Sequence, residues 1–213
     1  MRLHPLTCGW LTGKRGGFLE GERGELRVPV LAWLVEHPKG TLLFDAGMHP
    51  AAAVDPVARL GFLAELFRVE LGRDETVGPR LRERNVDPGR VDWLVNSHLH
   101  FDHAGGNAEV PNARLVIQRR EWEAGGDPDL ARRNGFAPQD YELGHELVLV
   151  DGEHDVFGDG RVVCLPTPGH TPGHQSLRVR LETGEFVLAS DACYLRQTLE
   201  ALHLPEEIGR AHV

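Results

Sequence analysis

The sequence predicts a mixed α+β fold, a β-sandwich with helices on both outer faces. Three observations lead there. Apolar stretches of strand length recur from Leu26 to Ala189. Segments with apolar residues at helical spacing stand between them. A dense group of polar ligand residues directly follows one apolar strand, the usual place for a site on the loops of a layered fold.

Taken in order, Leu26 to Glu36 and Thr41 to Asp45 are predicted strands. His37-Pro38-Lys39-Gly40 between them is a turn signal, so the pair makes a hairpin. Pro56 to Leu71 is a predicted helix, with Val57, Leu60, Leu63, Leu66 and Phe67 on one stripe. That stripe reads either as core or as a lid over a site. Thr76 to Val86 is a second helix, rich in Arg and Glu. Val91 to Ser97 is an apolar strand, Leu115 to Ile117 another, and a helix starts at Arg119 to Glu123. Val162 to Leu165 and Gln175 to Leu181 are strands on either side of a Gly-Pro loop. No linker, repeat or low-complexity segment interrupts this order, so one domain over residues 1–213 is expected.

Function is written most densely at His98-Leu99-His100-Phe101-Asp102-His103. Four metal-ligand side chains stand within one short run, which a packed core would not want. On extended backbone His98 and His100 point the same way, because side chains alternate with period two. Asp102 and His103 can turn toward a second metal where the chain bends. Ala104-Gly105-Gly106-Asn107 then allows a tight turn and close backbone approach. Imidazole suits zinc, iron and nickel, and carboxylate suits manganese as well.

The motif resembles that of the metallo-β-lactamase superfamily, which carries His-X-His-X-Asp-His on such a loop. Pro168-Gly169-His170-Thr171-Pro172-Gly173-His174 resembles its next ligand loop, with His170 at the ligand position. His174 reads as a supporting histidine. Ser190-Asp191-Ala192, after the apolar Phe186 to Ala189, resembles the loop of its bridging carboxylate. Read alone, Asp191 could also open a helix. Phe44-Asp45-Ala46-Gly47 resembles an early strand end whose Asp braces the ligand loop and does not bind metal. The matches run in family order from about residue 28 to 194. The resemblance implies an αβ/βα four-layer sandwich. It implies two divalent metal ions, zinc first, with manganese, iron or cobalt as alternatives. His98, His100 and His170 would hold one ion, Asp102 and His103 the other, and Asp191 would bridge them.

The resembled fold continues past its bridging carboxylate to a helix, a strand and a last histidine ligand. Here no apolar strand precedes His203 or His212. The C-terminal part is therefore expected to be shortened, its final residues reading as a foreign tail, a truncation or a natural end. The seventh ligand is expected to be missing.

Metals about 3.5–4 Å apart bridge a water, lower its pKa and polarise a carbonyl. Asp102 would face that water and carry its proton to the leaving group. The reaction class is hydrolysis of a carbonyl or phosphoryl ester. Tyr194, three residues after Asp191, matches a Tyr that donates to the substrate carbonyl in the branch that opens N-acyl homoserine lactones. With the segment Phe44 to Met48 and the stretch Pro56 to Leu71, it makes the chain most similar to those quorum-quenching lactonases. Glyoxalase-II-like thioester hydrolysis is the rival activity. A metal-binding protein with an incomplete site and no turnover is the reading from another class.

Bulk properties agree with a single soluble enzyme domain, for which the resemblance implies a small-molecule lactone or ester as partner. A chain of 213 residues can bury one sizeable core. The net charge of −9, with no basic cluster, argues against nucleic acid or an anionic membrane. The apolar runs fall short of a membrane span, and no apolar segment follows Met1-Arg2-Leu3-His4-Pro5 as in a signal peptide. Cys8, Cys164 and Cys193 are scattered and odd in number, which argues for a reducing, cytoplasmic setting. A homodimer is compatible with all of this.

Overall fold

Two β-sheets face each other across a layer of aliphatic side chains in the computed structural model, which describes residues 1–201. The larger sheet has seven strands in the order β4-β1-β2-β3-β5-β6-β7. These are β1 (Arg2–Lys14), β2 (Glu25–His37), β3 (Gly40–Phe44), β4 (Phe67–Glu70), β5 (Trp93–Val95), β6 (Arg114–Gln118) and β7 (Leu147–Val150). The smaller sheet is antiparallel, in the order β11-β10-β9-β8, from β8 (His154–Asp155), β9 (Val162–Pro166), β10 (Gln175–Leu181) and β11 (Gly184–Leu188). Val35, Phe44, Val95 and Val116 of the first sheet meet Val162, Cys164, Leu177 and Val179 of the second. Each such aliphatic side chain contributes about 1.5–3 kcal/mol by leaving water.

The predicted hairpin is present, with Trp33 opposite Phe44 and His37 opposite Gly40. From β3 onward the larger sheet turns parallel, so β5, β6 and β7 are reached by crossovers. Those crossovers carry α3 (Val77–Glu83), α4 (Arg119–Gly126) and α5 (Pro128–Asn134). Val77 and Leu81 of α3 pack on Leu43, Leu94 and Leu115. Ala124 of α4 and Ala131 of α5 pack with Leu99, Ile117 and Tyr141. This is the mixed α+β sandwich that the sequence predicts.

The predicted helix from Pro56 to Leu71 is a correction. It is three pieces: α1 (Pro56–Leu60), α2 (Leu63–Leu66) and strand β4. Gly61, at φ +57°, ends α1 in a conformation that L side chains resist. The stripe splits accordingly. Leu60 is buried and Leu63 and Phe67 pack beside it, but Val57 and Leu66 are 67% and 51% exposed. Phe67 to Glu70 instead closes the free edge of β1 between Trp10 and Gly13.

Strand β1 itself is not marked by the sequence pattern, because Pro5 and Gly9 read as breakers. Pro5 fits because β4 covers β1 only from Trp10 to Gly13, leaving no second partner at Pro5. Gly9, at φ +91°, sits where the β1–β2 register shifts. The C-terminal expectations that concern His203, His212 and the final residues lie outside the described residues. Among those described, no helix is long and apolar enough to cross a membrane.

Candidate metal centre

The strand ends of the larger sheet deliver the ligand residues. β5 stops at Val95, and the chain runs through Asn96 and Ser97 into the six-residue motif. Side-chain alternation then sorts the loop. Leu99 drops into the apolar group under α4 and α5, and Phe101 into the one under α3. His98 and His100 face the opposite way, toward His170. Gly105 and Gly106 let the loop pass tightly under β3. A Cβ on Gly105 would strike the Phe101 carbonyl, and one on Gly106 would strike that of Ala46.

Two donor groups result. His98 Nε2, His100 Nδ1 and His170 Nε2 lie 2.9–3.1 Å from one another. The second group is His98, His103 and Asp191. In each, the ligand atoms lie within 4.8 Å of one another. Asp191 spans the two, with Oδ2 at 3.3 Å from His170 Nε2 and Oδ1 at 3.3 Å from His103 Nε2. Asp102 Oδ2 stands 3.5 Å from His103 Nε2, at the edge of the second group. His98 thus touches both groups, where the sequence reading gave it to one.

The outer bonds fix the rings. His100 Nε2 meets the Asn134 carbonyl at 2.7 Å, which turns Nδ1 inward. His103 Nδ1 is held by Asp45 Oδ2 at 2.9 Å, which leaves Nε2 to the centre. Asp45 also accepts from the Ser97 N–H at 2.7 Å and the Ser97 hydroxyl at 2.8 Å. It therefore braces the ligand loop. Histidine ligands in metal sites are oriented by such carboxylates and carbonyls.

Electrostatics favour a cation between the groups. Burial, aided by the neighbouring histidines, holds His98 well below the usual imidazole range. Burial does the same to His170 despite Asp191. Both rings are neutral at pH 7 and can offer lone pairs. His103 is opposed by burial, yet Asp191, Asp102 and Asp45 hold it well above the usual range. Asp191 is lowered because His103 and His170 outweigh its burial. Three imidazoles beside a shared carboxylate are a donor set suited to zinc, cobalt or another borderline divalent ion.

Tyr194 sits at the rim, its hydroxyl 3.0 Å from His170 Nδ1. Burial, and then the charges of Asp191 and Asp102, push its pKa well above the usual phenol value, so it remains a donor. Phe18, from the β1–β2 connection, packs edge-on against its ring at 5.5 Å. His174 stands behind His98, bonded through Nδ1 to Thr167. It enters neither donor group. Burial lowers it to about 4.

An apolar cleft of about 1040 Å³ opens onto this centre. Leu26, Val28, Phe62, Leu66, Phe101 and Phe186 line it beside His100, Asp102, His170, Asp191 and Tyr194. Phe62 and Leu66 come from the misread segment, so part of the predicted stripe forms a cleft wall.

A family model described as the metallo-beta-lactamase superfamily matches residues 26–203. The chain belongs to the metallo-beta-lactamase superfamily. It is 34% identical over 202 residues to an N-acyl homoserine lactonase, AttM, of Azorhizobium caulinodans, covering 91% of this chain and 77% of that protein. To the lactonase AiiA of Bacillus thuringiensis subsp. kurstaki it is 32% identical over 178 residues, covering 82% of this chain and 68% of that one. A solved N-acyl homoserine lactone hydrolase, with N-hexanoyl-L-homoserine at its catalytic metal centre, superposes with a TM-score of 0.84. That structure is 27% identical, and the match covers 94% of this chain and 79% of that one.

Several supporting residues escaped the sequence reading. Ser97 and Ser190 bond to each other and to Asp45. Asn96 and Asn107 exchange side-chain amide bonds under the loop. Gln175 donates to the Asn96 carbonyl. Glu121 reaches both ligand loops. None carries a motif of its own in the sequence. Only the apolar strand that runs into Asn96 hints that it is buried.

Proposed function

We propose that this chain is a single hydrolase domain, residues 1–213, that opens the ring of N-acyl homoserine lactones and so silences acyl-lactone signalling. The observation that carries the reading is the cleft: an apolar channel ends on two adjoining donor groups, with Tyr194 at their rim. The named relatives support the same substrate class. His98, His100 and His170 would hold one ion and Asp102, His103 and Asp191 the other, with Asp191 shared and His98 within reach of both. Two divalent ions, zinc by the donor chemistry, would supply Lewis acidity and a lowered pKa for water.

The chain's own residues do the rest. The apolar walls hold the acyl chain and leave the lactone head at the centre. The Tyr194 hydroxyl donates to the lactone carbonyl oxygen as charge develops there. Water adds to the carbonyl carbon, the ring C–O bond breaks, and Asp102 carries the proton from water to the departing alkoxide oxygen. Phe18 keeps the Tyr194 ring in place. The scattered thiols, with Cys8 and Cys164 buried and raised to about 12, suit a cytoplasmic enzyme.

The test is a panel of homoserine lactones, thioesters and phosphodiesters, assayed after loading with zinc, cobalt or manganese. Lactone turnover well above the others is expected. Thioester turnover dominating at full metal loading would overturn the substrate assignment.

A further inference from the structure

Glu121 lies in the first turn of α4, fully buried, and belongs to neither donor group. A buried carboxylate costs several kcal/mol unless it is bonded or paired. This one bonds on both sides. Oε1 accepts the Leu99 N–H at 3.1 Å, and Oε2 accepts the Gly173 N–H at 2.7 Å. Leu99 stands between His98 and His100, and Gly173 stands between His170 and His174. The two bonds therefore join loops 74 residues apart in sequence at the points where their histidines meet (173 − 99 = 74). Gly173 is part of the fit, since a Cβ there would strike the Glu121 backbone.

The other half of the centre is braced differently. Asp45 holds His103 Nδ1 and both Ser97 donors, and Ser190 bonds into the same group. No bond from Glu121 reaches His103 or Asp191. We propose that Glu121 is a positioning residue that sets the His98–His100 loop against the His170 loop, and so governs the affinity of the three-histidine ion far more than that of the His103–Asp191 ion, which shares only His98 of the three histidines with it.

The proposal rests on the metal-centre reading and not on the choice of substrate, so its test reads metal binding. Glu121→Gln keeps the volume but leaves one acceptor oxygen, with an NH₂ facing the second N–H. Metal-free wild type titrated with cobalt(II), followed by its visible absorption, should take up two equivalents. In the variant one equivalent, at the group that shares only His98 of the three histidines, should be weakened little. The other should bind about 10–100-fold more weakly, the usual loss when an outer-shell partner of a ligand is removed. Hydrogen exchange on the metal-free proteins supplies a second readout. The Leu99 and Gly173 amides should exchange at least about tenfold faster, whereas the Ser97 amide, held by Asp45, should not. A merely structural role would quicken all three together.

Unchanged uptake of both equivalents, or equal weakening of both, overturns the proposal. Should Glu121→Gln fail to fold, Glu121→Asp, too short to span both loops, takes its place with the same expectation. Failure of both variants to fold would also overturn it, by making Glu121 a support of the whole fold. Wild type that takes up no cobalt would sink the metal reading and this proposal together.

Discussion

Removing Arg59 should destabilise the protein, and the loss should grow with pH. Arg59, on α1, forms an ion pair with Asp140, whose residue is 1% exposed. Asp140 Oδ2 has no partner, so the arginine is the main compensation for this carboxylate. Burial lifts the Asp140 carboxyl from 3.8 to about 6, with Arg59 opposing the rise. An acid whose folded pKa is raised favours the folded state below its unfolded pKa, and loses that contribution as pH climbs through the folded value. About two pKa units correspond to roughly 3 kcal/mol, lost in wild type between about pH 4 and 6. Arg59→Met keeps the aliphatic reach and removes the cation, so the carboxyl pKa rises further and the loss continues to higher pH. At pH 8 the variant should be about 3–5 kcal/mol less stable than wild type, as when one partner of a buried pair is removed. At pH 5 the carboxyl is mostly protonated in both proteins, and only about 1 kcal/mol of lost hydrogen bonding remains. For a chain of this size that corresponds to a Tm gap of roughly 6–20 °C at pH 8 and roughly 2–4 °C at pH 5. Thermal unfolding at both pH values, with wild type and variant compared at each, cancels any effect of pH on the ligand histidines. Arg59→Met/Asp140→Leu should recover much of the loss at pH 8. Equal Tm gaps at the two pH values, or a double variant no better than the single one, would refute the argument.

Three further outcomes are expected. His98→Ala touches both donor groups and should lower metal content more than His100→Ala, which touches one; equal content in the two by elemental analysis would contradict the shared position of His98. Asp102→Asn should cost far more kcat than metal, because it removes a proton carrier at the edge of the second group; wild-type kcat at restored metal content would exclude that role. Tyr194→Phe keeps the contact with Phe18 and removes only the donor, so kcat/KM on a homoserine lactone should fall by about tenfold, less than where a main oxyanion donor is lost. A rate matching wild type would leave Tyr194 as a packing residue only.

What the sequence makes legible here follows from how local each signal is. The motif from His98 to His103 packs its candidate donor side chains into one turn, and the hairpin around Pro38-Lys39 lies within neighbouring residues. Both are read directly. The Pro56 to Leu71 segment fails because the helical stripe is real in spacing but is overruled at Gly61 and by the open edge of β1. No window around residues 67–70 contains the strand they join. β1 fails for the converse reason, since Pro5 is tolerable only where β4 stops short.

The same distinction explains which part of the centre stayed hidden. Ligand identity is set by donor chemistry, and donor chemistry is visible in the residue types. Ligand placement is set by bonds that close over long stretches of chain. Asp45, at the end of β3, reaches Ser97 and His103 beyond the neighbouring strand β5, more than fifty residues along the chain, and Ser190 reaches Asp45 from the other sheet. Asp45 and Ser190 also hold φ of +59° and +49°, conformations that cost non-glycine residues roughly 1–3 kcal/mol. The cost is offset because each of the two side chains reaches His103 or Ser97 from that backbone position. A glycine at either site would relieve the backbone and lose the bonds. Strain and hydrogen bonding therefore have to be weighed together at these two residues, and the balance favours the side chain because the bonds it makes are buried and shared with the ligands themselves.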